Sequence, residues 1–234
     1  MMYGEFAIWA IATLGIVTLT VILAERYGVE IAVGIFASLI VIANVIAVKL
    51  ISIGQFIVPA GVIVYSSTFL ITDIIGEIYG REYGKKAVLS GFFANIVALV
   101  SIMIAVKWSP APIMAPELLK SFENVFAFAP RIVLASMIAY LISQIHDVYA
   151  FHFWKEKTRG KHLWLRNNAS TTVSQAIDTV LFITIAFYGV VPTEVLFGMI
   201  VGQYIIKVGI ALLDTPFMYI ATYVWKAMKS KATA

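Results

Sequence analysis

The sequence predicts an all-α integral membrane protein of seven transmembrane helices, an N-terminal helix followed by a six-helix core. The N-terminus is expected outside and the C-terminus in the cytoplasm. Three observations carry this prediction. Hydrophobic residues make up 61% of the 234 residues and mean hydropathy is +0.93, whereas a soluble domain is roughly 45–50% apolar. Apolar runs of about 20 residues, the length a bilayer core of about 30 Å demands, recur along the chain. These runs are continuous, while a spanning β-barrel needs alternating segments of about ten residues.

In order, Phe6–Ala24 and Ile31–Val48 hold no Asp, Glu, Lys or Arg. The uncharged run from Leu50 contains Gly54 and Pro59, so its start reads as a connection and the third span as Ile57–Tyr79. Ala87–Val106 follows, then Arg131–Trp154, Ala169–Val190 and Val195–Tyr223, each of the last three with at least one charge. The longest connection, Lys107–Pro130, has 24 residues, too few for a soluble domain. The expected division is an N-terminal transmembrane helix at 1–28, a six-helix core at 29–226 and a cytoplasmic tail at 227–234. Glu25-Arg26-Tyr27 after the first run lack a small-residue cleavage pattern, so that run reads as a retained helix rather than a signal peptide.

Assigning Lys and Arg to alternating sides gives one side Arg26, then Arg81, Lys85 and Lys86, then the loop from Lys155 to Arg166, then Lys226, Lys229 and Lys231. The other side receives only Lys49, Lys107, Lys120 and Arg131. The richer side is cytoplasmic by the positive-inside bias, in a multi-pass protein of the cell membrane. The formal net charge of +4 then reflects topology, and no basic stripe suggests a nucleic-acid partner. Membrane lipid is the expected surround.

Several chemistries are excluded. With no cysteine there is no thiolate catalysis, disulfide or cysteine metal site. No two of the three histidines have the i, i+3 or i, i+4 spacing that puts two ligands on one helix face, so no metal is expected. There is no G-x-S-x-G turn, no Gly-x-Gly-Asp around an aspartate and no P-loop. No enzyme, catalytic residue or cofactor is implied.

What the apolar spans do contain is polar side chains. Asp73, Glu77, Asp147, Asp178, Lys207 and Asp214 lie within them, with the amides Asn44, Gln144, Gln175 and Gln203. Charge at that depth is expensive and marks pathways or binding sites. Asp73 and Glu77 share a helix face at i, i+4, where like charges repel unless a cation, a proton or a donor-rich ligand intervenes. Glu77 has the alternative of reaching the inner interface beside Arg81, Lys85 and Lys86. Ser143-Gln144-Ile145-His146-Asp147 and Ser174-Gln175-Ala176-Ile177-Asp178 both read S-Q-x-x-D on consecutive, oppositely directed spans. Asp178 and Lys207 each lie about 18 Å into their spans and can meet at one level. Such a pair can simply pin two helices, but the surrounding amides suggest a hydrated cavity with a polar occupant. His146, Asp147 and Asp178 are candidates for carrying a proton, and His146 is equally readable as a satisfied bundle histidine. Gly198-x-x-x-Gly202 permits close helix contact within the chain or in a homodimer.

A series of ordered motifs carries a resemblance. They are N-x-x-A-x-K from Asn44, V-P-A-G from Val58, T-D-I-I-G-E-I-Y-G from Thr72, R-I-V-L-A-S from Arg131 and S-Q-x-x-D-V from Ser143. H-L-W-L-R-N-N-x-S-T from His162, S-Q-x-x-D-T from Ser174 and G-Q-Y-x-x-K-x-x-x-A-L-L-D-T-P from Gly202 complete the series. Together, over about residues 30–220, they resemble the queuosine precursor transporters of the vitamin uptake transporter family. The resemblance implies a six-helix core that imports 7-cyano-7-deazaguanine and 7-aminomethyl-7-deazaguanine for tRNA modification, as a secondary transporter or facilitator with no ATPase partner. A guanine-like edge offers N–H donors beside a carbonyl, which suits carboxylates and amides. Gln144, Asp147, Gln175 and Asp178 are expected to clamp that edge, with Asn44 or Gln203 on the carbonyl and Phe69, Tyr140 or Phe182 against the ring. Asp73, Lys207 and Asp214 complete the expected binding set. Alternatives are the substrate-binding subunit of an importer with a separate ATPase, a transporter of another small polar molecule and, more distantly, an intramembrane enzyme.

Overall fold

The computed structural model describes residues 3–24, 27–47, 49–126 and 130–232. Arg26 and Val48, used above, lie outside the described residues. The chain forms α1 (Tyr3–Ala24), α2 (Val29–Ile46), β1 (Leu50–Ile53), β2 (Phe56–Pro59), α3 (Val62–Tyr79), α4 (Arg81–Lys107), α5 (Pro116–Phe126), α6 (Pro130–Lys157), α7 (Leu163–Phe187) and α8 (Thr193–Ala232). By length and composition α1, α2, α3, α4, α7 and α8 can each cross a membrane. α6 has 28 residues, and its later half carries Gln144, His146, Asp147, His152 and Lys155. These side chains turn toward α3 and α7 rather than toward lipid.

α3 is the central helix. It packs against α1, α2, α4, α6, α7 and α8, and every residue from Ser66 to Gly76 is buried. A helix enclosed on all sides has no lipid-facing stripe, so small and hydroxyl residues can occupy it wherever their polar atoms are satisfied. Ser67 and Thr68 return their hydroxyls to the carbonyls of Val64 and Tyr65 at 2.7 and 2.6 Å. Gly76 gives His152 of α6 its place, since a Cβ there would lie 2.9 Å from the ring.

α1 buries Phe6, Ala10, Leu14, Val17 and Val21, a stripe at helical spacing against α3 and α8. Its other side, with Ile8, Trp9, Ile16 and Leu19, is exposed, as a lipid-facing surface is.

The sequence expectation needs four adjustments. The segment before α3 is an antiparallel hairpin pairing Leu50 with Pro59 and Ile53 with Phe56, and the third helix starts at Val62 rather than Ile57. The connection Lys107–Pro130 contains α5, whose Leu118, Leu119, Phe122, Val125 and Phe126 share one side, the pattern of an interfacial helix. α7 starts at Leu163 rather than Ala169, so Asn167 and Asn168 lie inside the helix. α8 is continuous through Ala232, so the stretch expected as a tail begins as helix. Its 40 residues extend about 60 Å at about 1.5 Å each, roughly twice the bilayer core.

Candidate functional site

The α6–α7 pair carries the two S-Q-x-x-D motifs, and the helices pack antiparallel along their length. Ser143 of the first motif donates to Asp178 Oδ1 of the second at 3.1 Å. Ser174 of the second donates to Asp147 Oδ1 of the first at 2.9 Å. This reciprocal exchange sends the two aspartates toward opposite ends of the bundle. They therefore serve two separate polar sites.

Asp178 belongs to a cavity of about 450 Å³, its mouth included, lined among others by Asn44, Tyr65, Ser136, Phe182, Gln203 and Lys207. Lys207 Nζ is 2.5 Å from Asp178 Oδ2, and the Tyr65 hydroxyl donates to Oδ1 at 2.5 Å. With Ser143 this makes three donors on a carboxylate that has about four acceptor sites. Lys207 is almost wholly buried, and its ammonium also lies 5.0 Å from the Tyr65 ring centroid. Opposite, Ser136 donates to Asn44 Oδ1 at 2.7 Å, and Asn44 Nδ2 reaches Asn95 Oδ1 at 3.3 Å. Pro59, Gly61, Val62 and Phe182 supply apolar wall. The hairpin forms one side of the mouth because Gly61 approaches α2 so closely that a Cβ would meet the Ala43 carbonyl oxygen at 2.3 Å.

The second site lies between α3, α6, α7 and α8. Asp73, Asp147 and Asp214 are all but fully buried there. Asp73 lies near Asp147, and the Thr171 hydroxyl donates to its Oδ2 at 3.5 Å. Asn167 Nδ2 donates to Asp214 Oδ1 at 2.7 Å. Glu77 does not join its i−4 neighbour Asp73. It pairs with Lys155 at 2.8 Å and Arg166 at 2.7 Å, rather than with Arg81, Lys85 or Lys86. Arg166, itself buried, also binds the carbonyls of Gly160 and Lys161, which ties the α6–α7 loop to α3.

Of the expected binding residues, the cavity brings together Asn44, Asp178, Gln203 and Lys207. Asp73, Asp147 and Asp214 gather in the second site. Gln144 is spent on α3, donating to Thr68 Oγ1 at 2.8 Å and accepting from Thr72 at 3.3 Å. Gln175 is fully buried, and neither end of its carboxamide has a hydrogen-bond partner. The four residues expected as one clamp are thus divided, because antiparallel helices carry equal motifs to unequal depths. His146 hydrogen-bonds the Ser174 hydroxyl at 2.9 Å. Among the expected ring partners only Phe182 lines the cavity. Phe69 is buried edge-on behind Tyr65, and Tyr140 donates to the Val88 carbonyl.

Sequence reasoning missed Tyr65, Ser136 and Asn95. Tyr65 was visible in principle, since a phenol two turns before Asp73 falls on the same side of a helix that has no lipid face. Among the described residues no group of three or more His, Asp and Glu side chains is arranged to hold a metal ion.

A family model described as "Putative vitamin uptake transporter" matches residues 59–221. The chain is 33% identical over 183 residues to the "Probable queuosine precursor transporter" of Bacillus subtilis (strain 168), covering 77% of this chain and 79% of that protein. It is 27% identical over 165 residues to the "Queuosine precursor transporter" of Escherichia coli (strain K12), covering 70% and 71%. A Haemophilus influenzae protein named "Probable queuosine precursor transporter" is 32% identical over 128 residues, 55% of this chain and 51% of that one. No solved structure matches. The family match runs from Pro59, the last residue of the hairpin, to Ala221 within α8 and so includes the aspartates of both sites, within a bundle of membrane-length apolar helices. The chain belongs to the vitamin uptake transporter family and is a multi-pass transporter of the cell membrane, not an enzyme.

Proposed function

We propose that this protein imports 7-deazaguanine bases, 7-cyano-7-deazaguanine and 7-aminomethyl-7-deazaguanine, as precursors for modified tRNA nucleosides, without an ATPase of its own. The observation that carries this is the Asp178–Lys207 pair in the wall of an otherwise largely apolar cavity. A guanine-type edge presents N–H donors beside a carbonyl. Asp178 has acceptor capacity left for the donors, and Lys207, Asn44 or Gln203 can serve the carbonyl. A membrane cavity that offers acceptor and donor side by side selects a flat heterocycle of that pattern, because an analogue lacking the donors leaves the carboxylate unmatched. Phe182 and Tyr65 lie in the same wall for the ring. The names of the relatives support the same cargo.

The topology proposed with this reading has α6 as a seventh span, an external N-terminus and a cytoplasmic C-terminus. Lys155, Arg159, Lys161 and Arg166 then fall on the cytoplasmic side together with Arg81, Lys85 and Lys86. Uptake of radiolabelled 7-deazaguanines by proteoliposomes, with guanine as competitor, tests the cargo. Asp178→Asn keeps the shape but turns one acceptor into a donor facing the ligand's donors. Loss of a charge-assisted bond and an opposed donor, together about 1–3 kcal/mol, should lower affinity for 7-cyano-7-deazaguanine roughly 10- to 100-fold. Unchanged binding in a well-folded variant would remove Asp178 from the site.

A further inference from the structure

Asp73, Asp147 and Asp214 are 1%, 0% and 1% exposed, and among the described residues none of them is in an ion pair. Three ionised carboxylates without a cation, in a membrane-embedded bundle, would be strongly unfavourable. Asp73 and Asp147 lie close enough for like charges on them to repel, and a hydrogen held between them removes that repulsion. An independent sign of missing hydrogens comes from Asn167. Its side chain is fully buried and aimed into the cluster through its bond to Asp214, yet its Oδ1 has no donor, and neither do Asp147 Oδ2 and Asp214 Oδ2.

The cluster also has a path to the surface. His146 lines an open groove with Arg81, Tyr149, Phe153, Trp154 and Glu156. Its Nδ1 is 2.9 Å from Ser174 Oγ, which is 2.9 Å from Asp147 Oδ1. The line groove, His146, Ser174, Asp147, Asp73 contains only groups that can accept and pass on a proton. Among the described residues no comparable bond joins the cluster to Asp178, whose partners are Ser143, Tyr65 and Lys207.

We propose that Asp73, Asp147 and Asp214 form a proton-binding site, distinct from the base cavity and loaded from the groove at the basic end of the bundle through His146 and Ser174. A hydronium in the groove gives its proton to His146 Nε2. His146 Nδ1–H then passes to Ser174 Oγ as the serine hydrogen moves to Asp147, so one O–H bond breaks in the groove and one forms on the aspartate. The other charged groups facing the cluster are accounted for. Glu77, one turn from Asp73 on α3, is held by Lys155 of α6 and Arg166 of α7. His152 of α6 abuts Gly76 and bonds the Val148 carbonyl, and Lys207 of α8 is engaged by Asp178. Only the use of this proton in transport rests on the proposed function.

Infrared difference spectroscopy on the purified full-length protein in lipid bilayers tests the site with no base present, so its outcome is independent of the cargo. Titration in H2O and D2O reads protonated carboxyls through their C=O stretch. Wild type is expected to keep a buried protonated-carboxyl band at neutral pH that diminishes in Asp147→Asn and in Asp214→Asn and is unchanged in the exposed control Glu82→Gln. Both Asn variants are neutral where a charge would be buried, and either alone suffices if the other does not fold. Ser174→Ala should retain the band but slow its exchange with D2O severalfold. Absence of such a band, a band indifferent to all three aspartates, or one that appears only when sodium is withdrawn would overturn the site. Unchanged exchange in Ser174→Ala would overturn the route.

Discussion

At the scale of single residues, the most consequential contact is Lys207 with Asp178. Each is the counter-ion of the other in a place where water cannot substitute, and removing one partner leaves an uncompensated buried charge worth about 3–5 kcal/mol. Asp178→Asn and Lys207→Met alone should therefore lower thermal stability in detergent more than the double variant does. A double variant no better than the worse single one would show that the pair is not coupled. Gln175 makes the opposite case. A buried carboxamide with no partner costs about 1–3 kcal/mol, so Gln175→Met should raise the melting temperature. If Gln175 turns toward the base during transport, the same variant loses uptake while gaining stability, and a variant that gains stability with uptake intact would assign it no part. The depth arithmetic on the sequence brought Asp178 and Lys207 to one level, and the structure joins them. The two motifs are alike in sequence, and the antiparallel packing of α6 on α7 gives Asp147 and Asp178 different surroundings.

Among elements, the hairpin is the part whose fit decides the cavity. Gly54, at φ +57, closes its turn in a conformation that side chains disfavour. Gly61 lets its end lie on α2, and Gly202 of α8 receives Phe56, whose ring a Cβ would meet at 2.8 Å. The Gly-x-x-x-Gly spacing in α8 thus serves the hairpin at Gly202, while Gly198 has nothing within 4 Å of its Cβ position. Gly61→Ala forces a backbone shift against Ala43 and should cost on the order of 1–3 kcal/mol, with weaker base binding in direct titration. Gly198→Ala, in open space on a helix, should be neutral or up to about 1 kcal/mol stabilising. Equal melting temperatures for the two would mean that the hairpin is not clamped as described. The hairpin escaped the sequence reading because its two strands of four residues are uncharged and mostly apolar, and periodicity over so short a stretch cannot tell strand from helix.

For the molecule as a whole, the basic loops gather at one end. Arg166, Lys155 and Glu77 lock that end internally, and Arg81 and Lys85 stack on Tyr149 at 5.3 and 4.8 Å. The chain has no cysteine, so a single cysteine at position 159 is a clean reporter. It should resist membrane-impermeant maleimide in intact cells and react after permeabilisation, and labelling in intact cells would reverse the proposed orientation. The sequence by itself determined the class of the protein and which side chains are anomalous in a membrane, since bilayer length and the cost of burying charge act on each segment separately. It could not determine how those side chains divide between two sites, that α3 is enclosed by six neighbours, or that Asn167 binds Asp214. Those depend on which helix faces which. In a bundle whose spans are nearly all apolar around their circumference, only the close packing of one helix on another decides that.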